Sequence, residues 1–245
     1  SCSWNFTTSQ PPPPSSPSPS APLSWISTLC PWQHQLLEHT TLLVPATTLD
    51  SFLLGGSRLL LVSDGGARPH LETGSFGWVL GSSEVDLVCG TGPVTGHPMQ
   101  SFRTEAVGRL SGLLFLLYYC HANNLRPTCS LATYLDNKSV IHVESKFLAH
   151  PTLYPSLLAT NDADIFLALV QAHSQAPVPI TTQHVKGHQD RDAPPSQLSR
   201  EAMLNIRADA LATSFLDTLE NSRRPPTIPP SHGKVHLFHE DVLVT

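Results

Sequence analysis

The apolar positions of this chain fall into two regimes. From Arg58 onward, short apolar runs alternate with helical stripes; before it, Ile26, Trp32, Leu36, Leu37, Leu43, Val44, Phe52 and Leu53 recur in no clean period. The run Leu59-Leu60-Leu61-Val62-Ser63 stops at Asp64 and is followed by Gly65 and Gly66. This predicts a buried strand over 59–64 that delivers a carboxylate to its end, and then a tight turn. Phe76 to Gly81 and Val85 to Cys89 read as second and third strands, giving an antiparallel meander. Ser101 to His121 reads as a helix, with Ser101 placed to cap it and Ala106, Leu110, Leu113, Leu114 and Leu117 on one face. Thr128 to Leu135 is a fourth strand, ending at Asp136, and Asn137 to Phe147 a short helix. Asp162 to His173 is a further helix, opening on Asn161-Asp162 as its cap. Pro179 to Val185 is a fifth strand and Arg200 to Leu219 a long helix. A meander leading into alternating strands and helices predicts an α/β fold, a mixed sheet covered by helices. No internal repeat is visible.

Composition divides the 245 residues further. Nearly half of the 23 prolines sit at the two ends. Residues 1–25, with Pro11 to Pro14 and Pro17 and Pro19, read as a Pro/Ser-rich linker that cannot form a core. Residues 26–57 read either as an adapter or remnant of an upstream domain, or as a strip packed on the main one. Residues 58–220 form the main domain, and 221–245 a Pro-rich tail. The chain opens on Ser1 rather than Met, with no basic segment before an apolar run, and reads as part of a longer polypeptide. The five cysteines (Cys2, Cys30, Cys89, Cys120, Cys129) are odd in number and form no Cys-x-x-Cys. That argues against a disulfide framework or zinc ribbon and for a reduced intracellular setting, with Cys89 and Cys120 in the core. The longest apolar run, Leu113 to Cys120, is far short of the ~20 residues that span a bilayer, so no membrane role is expected.

Four acids occupy comparable places: Asp64 after the first strand, Glu105 at the start of the long helix, Asp136 after the fourth strand and Asp209 in the last helix. They are 41, 31 and 73 residues apart, so only the fold can bring them together. If it does, the donor set suits hard divalent cations, which take oxygen ligands. Two such ions about 4 Å apart stabilise both the attacking and the leaving oxygen of a phosphodiester. Between the third and fourth acids, Thr182-Gln183-His184-Val185-Lys186-Gly187-His188 carries a strand into a glycine turn. That turn presents His188 on a loop, where it could transfer protons. His184 and His188 are spaced as a zinc pair would be on a helix, but here they straddle a strand end and a turn. Arg103, Asn137, Lys138 and Asn205 flank the acids and are placed to touch phosphate or ribose.

The ordered motifs Ser63-Asp64-Gly65-Gly66, Phe102-Arg103-Thr104-Glu105, Leu135-Asp136-Asn137, Val185-Lys186-Gly187-His188 and Asn205 to Ala212 resemble those of type 1 ribonuclease H domains. They are most similar to the domains found in retrotransposon reverse transcriptase polyproteins. The resemblance covers residues 58 to 220. It implies a ribonuclease H-like fold, a five-stranded mixed sheet (antiparallel meander plus parallel strands) with helices on both faces. It implies hydrolysis of the RNA strand of an RNA–DNA hybrid, leaving a 3′-hydroxyl and a 5′-phosphate, and an upstream reverse transcriptase domain as neighbour. Asp64, Glu105, Asp136 and Asp209 would hold two Mg²⁺ ions, with Mn²⁺ as a substitute, and His188 would be the mobile proton-transfer residue. Gly65 and Gly66 would let substrate backbone pass close by.

The chain departs from compact members in a longer segment between Glu105 and Asp136 and a long loop from His188 to Asp209 that includes Pro194 and Pro195. No basic protrusion for the hybrid is evident. Residues 58 to 220 hold eleven Lys and Arg against fifteen Asp and Glu, a net of −4. Affinity for nucleic acid grows with the number of phosphate contacts, so this charge predicts weak binding by the domain alone. Two further readings use the same residues: a catalytically silent hybrid-binding or structural module, and an integrase- or transposase-type nuclease on the same fold. The Gly-His loop and the Asn-x-Arg-x-Asp helix favour ribonuclease H over the latter.

Overall fold

The computed structural model describes residues 23–96, 98–149, 162–191 and 194–219, with two short paired strands at Phe238–His239 and Val242–Leu243. Nearly all of the expected linker at 1–25, the cap residue Asn161, and most of the tail expected at 221–245 lie outside the described residues.

The main sheet consists of β1 (His39–Leu42), β2 (Arg58–Arg68), β3 (Thr73–Gly81), β4 (Asp86–Val94), β5 (Ser130–Leu135) and β6 (Ile180–His184). Its spatial order is β1-β4-β3-β2-β5-β6. β2, β3 and β4 form the antiparallel meander, while β5 runs parallel to β2 and β6 parallel to β5. The helices are α1 (Pro31–Leu37), α2 (Ala46–Leu54), α3 (Ser101–Ala122), α4 (Lys138–Ala149), α5 (Ala163–Ser174) and α6 (Arg200–Leu219).

Strand alternation sorts side chains to two faces. Leu59, Leu61, Phe76, Trp78, Leu80 and Val88 join one core with α3 and α5; Leu60, Val62, Val79, Cys89, Ala132 and Tyr134 join the other with Leu204 of α6. Helices therefore cover both faces. α3 is more enclosed than a one-sided apolar stripe implies, since every residue from Arg103 to Leu116 is buried. It lies against β2 and β3 on one side and against α5, α1 and α4 on the others.

The sheet has six strands rather than five. The additional strand, β1, pairs antiparallel with β4, Thr41 facing Cys89. Its sequence, His-Thr-Thr-Leu, is too short and polar to stand out as an apolar run, and pairing to β4 supplies what its own pattern does not. The rest of the N-terminal strip is equally committed. Ile26, Trp32, Leu37, Leu49 and Leu53 are buried in the α3-side core. Trp78 Nε1 donates to Ser111 Oγ, which donates to the Leu36 carbonyl. The Tyr119 hydroxyl donates to Asp50, and the backbone N–H groups of Thr128 and Cys129 both donate to the Leu53 carbonyl.

The second difference concerns β2, which does not end at Asp64. It continues to Arg68, and Asp64, Gly65 and Gly66 pair with Gly77, Phe76 and Ser75 of β3. The glycines are strand residues; the turn comes later, through Pro69–Leu71. At α3, Ser101 is the first helical residue rather than the cap, and Gln100 precedes it without a side-chain capping bond. Glu105 consequently lies just past the first turn.

Burying a leucine-sized side chain contributes about 1.5–3 kcal/mol, and the strip buries several. A chain beginning at Arg58 is expected to lose its cooperative thermal transition, whereas one beginning at Leu23 melts like the full chain. Circular dichroism melts of the two truncations check this.

Candidate metal centre

β5 pairs with β2 only as far as Val62 opposite Tyr134. Asp64 therefore stands just past the end of the parallel pair, beside the point where β5 gives way to Asp136. Crevices at the carboxyl ends of parallel strands are common ligand sites, because neighbouring connections diverge there. Glu105 enters from α3, and this approach depends on Gly65. A Cβ there would lie 2.4 Å from Thr104 Oγ1 and 2.5 Å from the Glu105 nitrogen. Helix packing thus by itself requires glycine at position 65. Gly66 faces the opposite side, where a Cβ would stand 3.1 Å from Leu216 Cδ2 of α6.

One carboxylate oxygen from each of Asp64, Glu105 and Asp136 lies within 4.8 Å of the others. Asp64 and Glu105 are each only 6% exposed. Burial, and then the charge of Asp136, push Asp64 up to about 8; Asp209 adds to the rise and the Gly65 N–H, donating to Asp64 Oδ1 at 2.7 Å, opposes it. Burial and Asp136 push Glu105 up to about 9, against the Asn137 side-chain amide, which donates to Glu105 Oε1 at 3.2 Å. Glu105 Oε2 and Asp136 Oδ1 are buried and have no hydrogen-bond partner.

Three acids crowded together, with two orphaned oxygens and, among the described residues, no ion pair to Lys or Arg, match a cation site. The donor set is oxygen only, which fits Mg²⁺ or Mn²⁺ rather than zinc. Asp136 reaches the cluster without capping α4; Asn137 does that, its Oδ1 accepting from the Ser139 N–H at 3.0 Å. Gly187 packs against the same carboxylate, since a Cβ there would lie 2.5 Å from Asp136 Oδ2.

Asp209 and His188 stand at the rim. His188 Nδ1 is 3.8 Å from Asp209 Oδ2, both side chains are about half exposed, and His188 has a left-handed backbone with φ of 50°. Asp209 acts electrostatically on Asp64 but is not within the tight trio.

The flanking residues are placed unevenly. Lys138 is exposed and Asn205 is 2% exposed with its Oδ1 unpartnered. Arg103 does not face outward. Its guanidinium donates to Asp162 and Asp164 at 2.7 Å each, and to the Thr95 carbonyl at 2.6 Å. The acids at the start of α5 thereby tie down the N-terminal end of α3, and Arg103 is only 4% exposed. His184 was not among the expected site residues, yet its Nε2 contacts the Asp136 carbonyl oxygen at 3.0 Å. Its place four residues before His188 was the available signal.

No protein-family model matches the chain, and no curated protein matches it by sequence. Solved structures similar to it include the N-terminal RNase H domain of a Mycobacterium tuberculosis protein, 18% identical, covering 67% of this chain and 97% of that one at a TM-score of 0.43. LC11-RNase H1 in complex with an RNA/DNA hybrid is 14% identical, covering 66% of this chain and 99% of that one, with a TM-score of 0.46. Prototype foamy virus protease-reverse transcriptase is 19% identical, covering 65% of this chain and 21% of that one, with a TM-score of 0.47. Among the described residues, no helix is long and apolar enough to cross a membrane.

The raised acids make the metal-free protein sensitive to pH in a stated direction. The folded state favours protonated Asp64 and Glu105, whereas unfolded carboxyls ionise near pH 4. That contribution is fully present below about pH 4 and is lost as pH rises through about 8 to 9. At pH 9 without divalent cation, Asp64→Asn is expected to melt about 3 °C or more above wild type. Millimolar Mg²⁺ should raise the wild-type melting temperature and leave the variant nearly unchanged. Scanning fluorimetry at pH 5 and pH 9 reads both effects.

Proposed function

We propose that this chain is a divalent-metal-dependent endonuclease hydrolysing the RNA strand of RNA–DNA hybrids, the ribonuclease H domain of a retroelement polyprotein. The observation that carries the reading is the convergence of Asp64, Glu105 and Asp136 from three separate elements within 4.8 Å. The motif resemblance and the Gly187-His188 loop beside Asp136 support it.

In this reading Asp64, Glu105 and Asp136, with Asp209 at the rim, hold two Mg²⁺ ions, for which Mn²⁺ can substitute. When bound, the ions supply charge stabilisation to the attacking water and the departing oxygen of the phosphodiester. The protein supplies the rest. Asn137 holds Glu105 through one oxygen and leaves the other buried without a hydrogen-bond partner. His188, exposed on its loop and 3.8 Å from the Asp209 carboxylate, moves a proton at Nδ1 or Nε2 during departure of the product, since a histidine can take and give protons near neutral pH. Preference for RNA over DNA rests on the 2′-hydroxyl.

The grip on substrate comes from elsewhere. Arg68 pairs with Asp217, Arg103 with Asp162 and Asp164, Arg109 with Glu144, and both Arg200 and Arg207 with Asp86. Guanidinium groups engaged internally release few counterions from a nucleic acid. An upstream reverse transcriptase domain is the proposed source of the missing contacts.

Two measurements test this. A labelled hybrid incubated with Mg²⁺ should be cut in its RNA strand, and Asp136→Asn should lower the rate roughly a hundredfold or more, several kcal/mol of charge stabilisation being lost, with the melting transition retained. Equal rates in the two proteins would refute the reading. Hybrid binding by this chain should weaken only gently with salt, with a slope of log K on log salt of about −3 or shallower, and fusion to a polymerase domain should steepen it.

A further inference from the structure

His184 is the histidine of the Gly-His region that the proposed chemistry leaves unused. It ends β6, where it pairs with Leu135, the last residue of β5. The Val185 N–H donates to the Leu135 carbonyl at 2.9 Å, so β6 is still bound to β5 as the chain reaches Asp136. Immediately beyond, His184 Nε2 lies 3.0 Å from the Asp136 carbonyl oxygen. A carbonyl can only accept, so Nε2 carries the hydrogen, and it does so whether the ring is neutral or protonated. The Asp136 main chain is therefore clamped from β6, while its Oδ1 is left without a partner and its Oδ2 fits against Gly187.

We infer that His184 is a positioning residue: its Nε2–H fixes the Asp136 backbone so that the Asp136 carboxylate faces Asp64 and Glu105. The inference rests on the reading of Asp136 as a cation ligand. It also separates the two histidines, because His184 serves Asp136 while His188 stands by Asp209. They are not two ligands of one zinc. Groups that orient a ligand affect metal affinity more than fold stability when they are exposed, and His184 is exposed.

The test is calorimetric titration of the full chain with Mn²⁺ in wild type, His184→Ala and His184→Gln, alongside melting of each protein without metal. Glutamine carries an N–H donor at a similar reach. Ala should bind Mn²⁺ about tenfold more weakly and Gln nearly as well as wild type, with all three melting alike when metal-free. Unchanged affinity in Ala would overturn the inference, and so would equal weakening of Ala and Gln accompanied by lowered metal-free melting, which marks a merely structural role. Failure of wild type to take up Mn²⁺ would instead overturn the metal-site reading, and this one with it.

Discussion

The repulsion among Asp64, Glu105 and Asp136 constrains the rest of this structure. Burial most opposes the ionisation of Asp64 and Glu105, and like charges at such separations oppose one another further. A fold that holds three carboxylates within 4.8 Å must fix them from outside and must offset their charge, which protons on Asp64 and Glu105 do in the metal-free protein. The outside support is visible. α3 presses its N-terminal end onto β2 at Gly65, Asn137 bridges from the β5–α4 junction to Glu105, and β6 holds the Asp136 main chain. In the proposed function the neutralising partner would be a divalent cation, which an oxygen-only donor set suits.

Deeper in the molecule, a second polar network keeps the same elements in register. Arg109, one helical turn after Glu105, is 1% exposed; it donates to Glu144 of α4 at 2.9 Å and to Thr182 of β6 at 2.7 Å, and it also contacts Thr133 of β5. Each of these elements carries or adjoins a residue of the acidic site. A buried ion pair is a poor source of net stability but a good device for fixing one arrangement, provided its hydrogen bonds are satisfied. Arg103 does similar work at the other end of the cluster, tying α3 to α5. Arg68, Arg103, Arg109, Arg200 and Arg207 are thus each paired with an acid of this same chain.

How much of this was legible in the sequence follows from what sequence patterns encode. The meander, the parallel strands and α6 were readable because their apolar residues recur at strand or helix spacing. Asp64, Glu105 and Asp136, which the fold brings together, were readable because each follows such an element or lies near its start, whereas Asp209 lies inside α6 and was readable only from its motif. β1 was not, since His39 to Leu42 becomes a strand only through its pairing with β4. The length of β2 was misjudged because Gly65 and Gly66 resemble a turn locally, whereas β3 continues the ladder beyond Asp64 to Arg68. Arg103 and His184 were hidden for a third reason. Their partners lie about 60 and 48 residues away in sequence, so only tertiary contact reveals whether a charged or polar side chain faces solvent or the protein.

The most direct test of the central claim is anomalous diffraction from crystals of this chain grown or soaked in Mn²⁺. Manganese density is expected bounded by the carboxylates of Asp64, Glu105 and Asp136, with Asp209 at its edge. Crystals that bind manganese elsewhere while these three carboxylates stay without it, or that show the acids separated and individually hydrogen-bonded to protein donors, would contradict it.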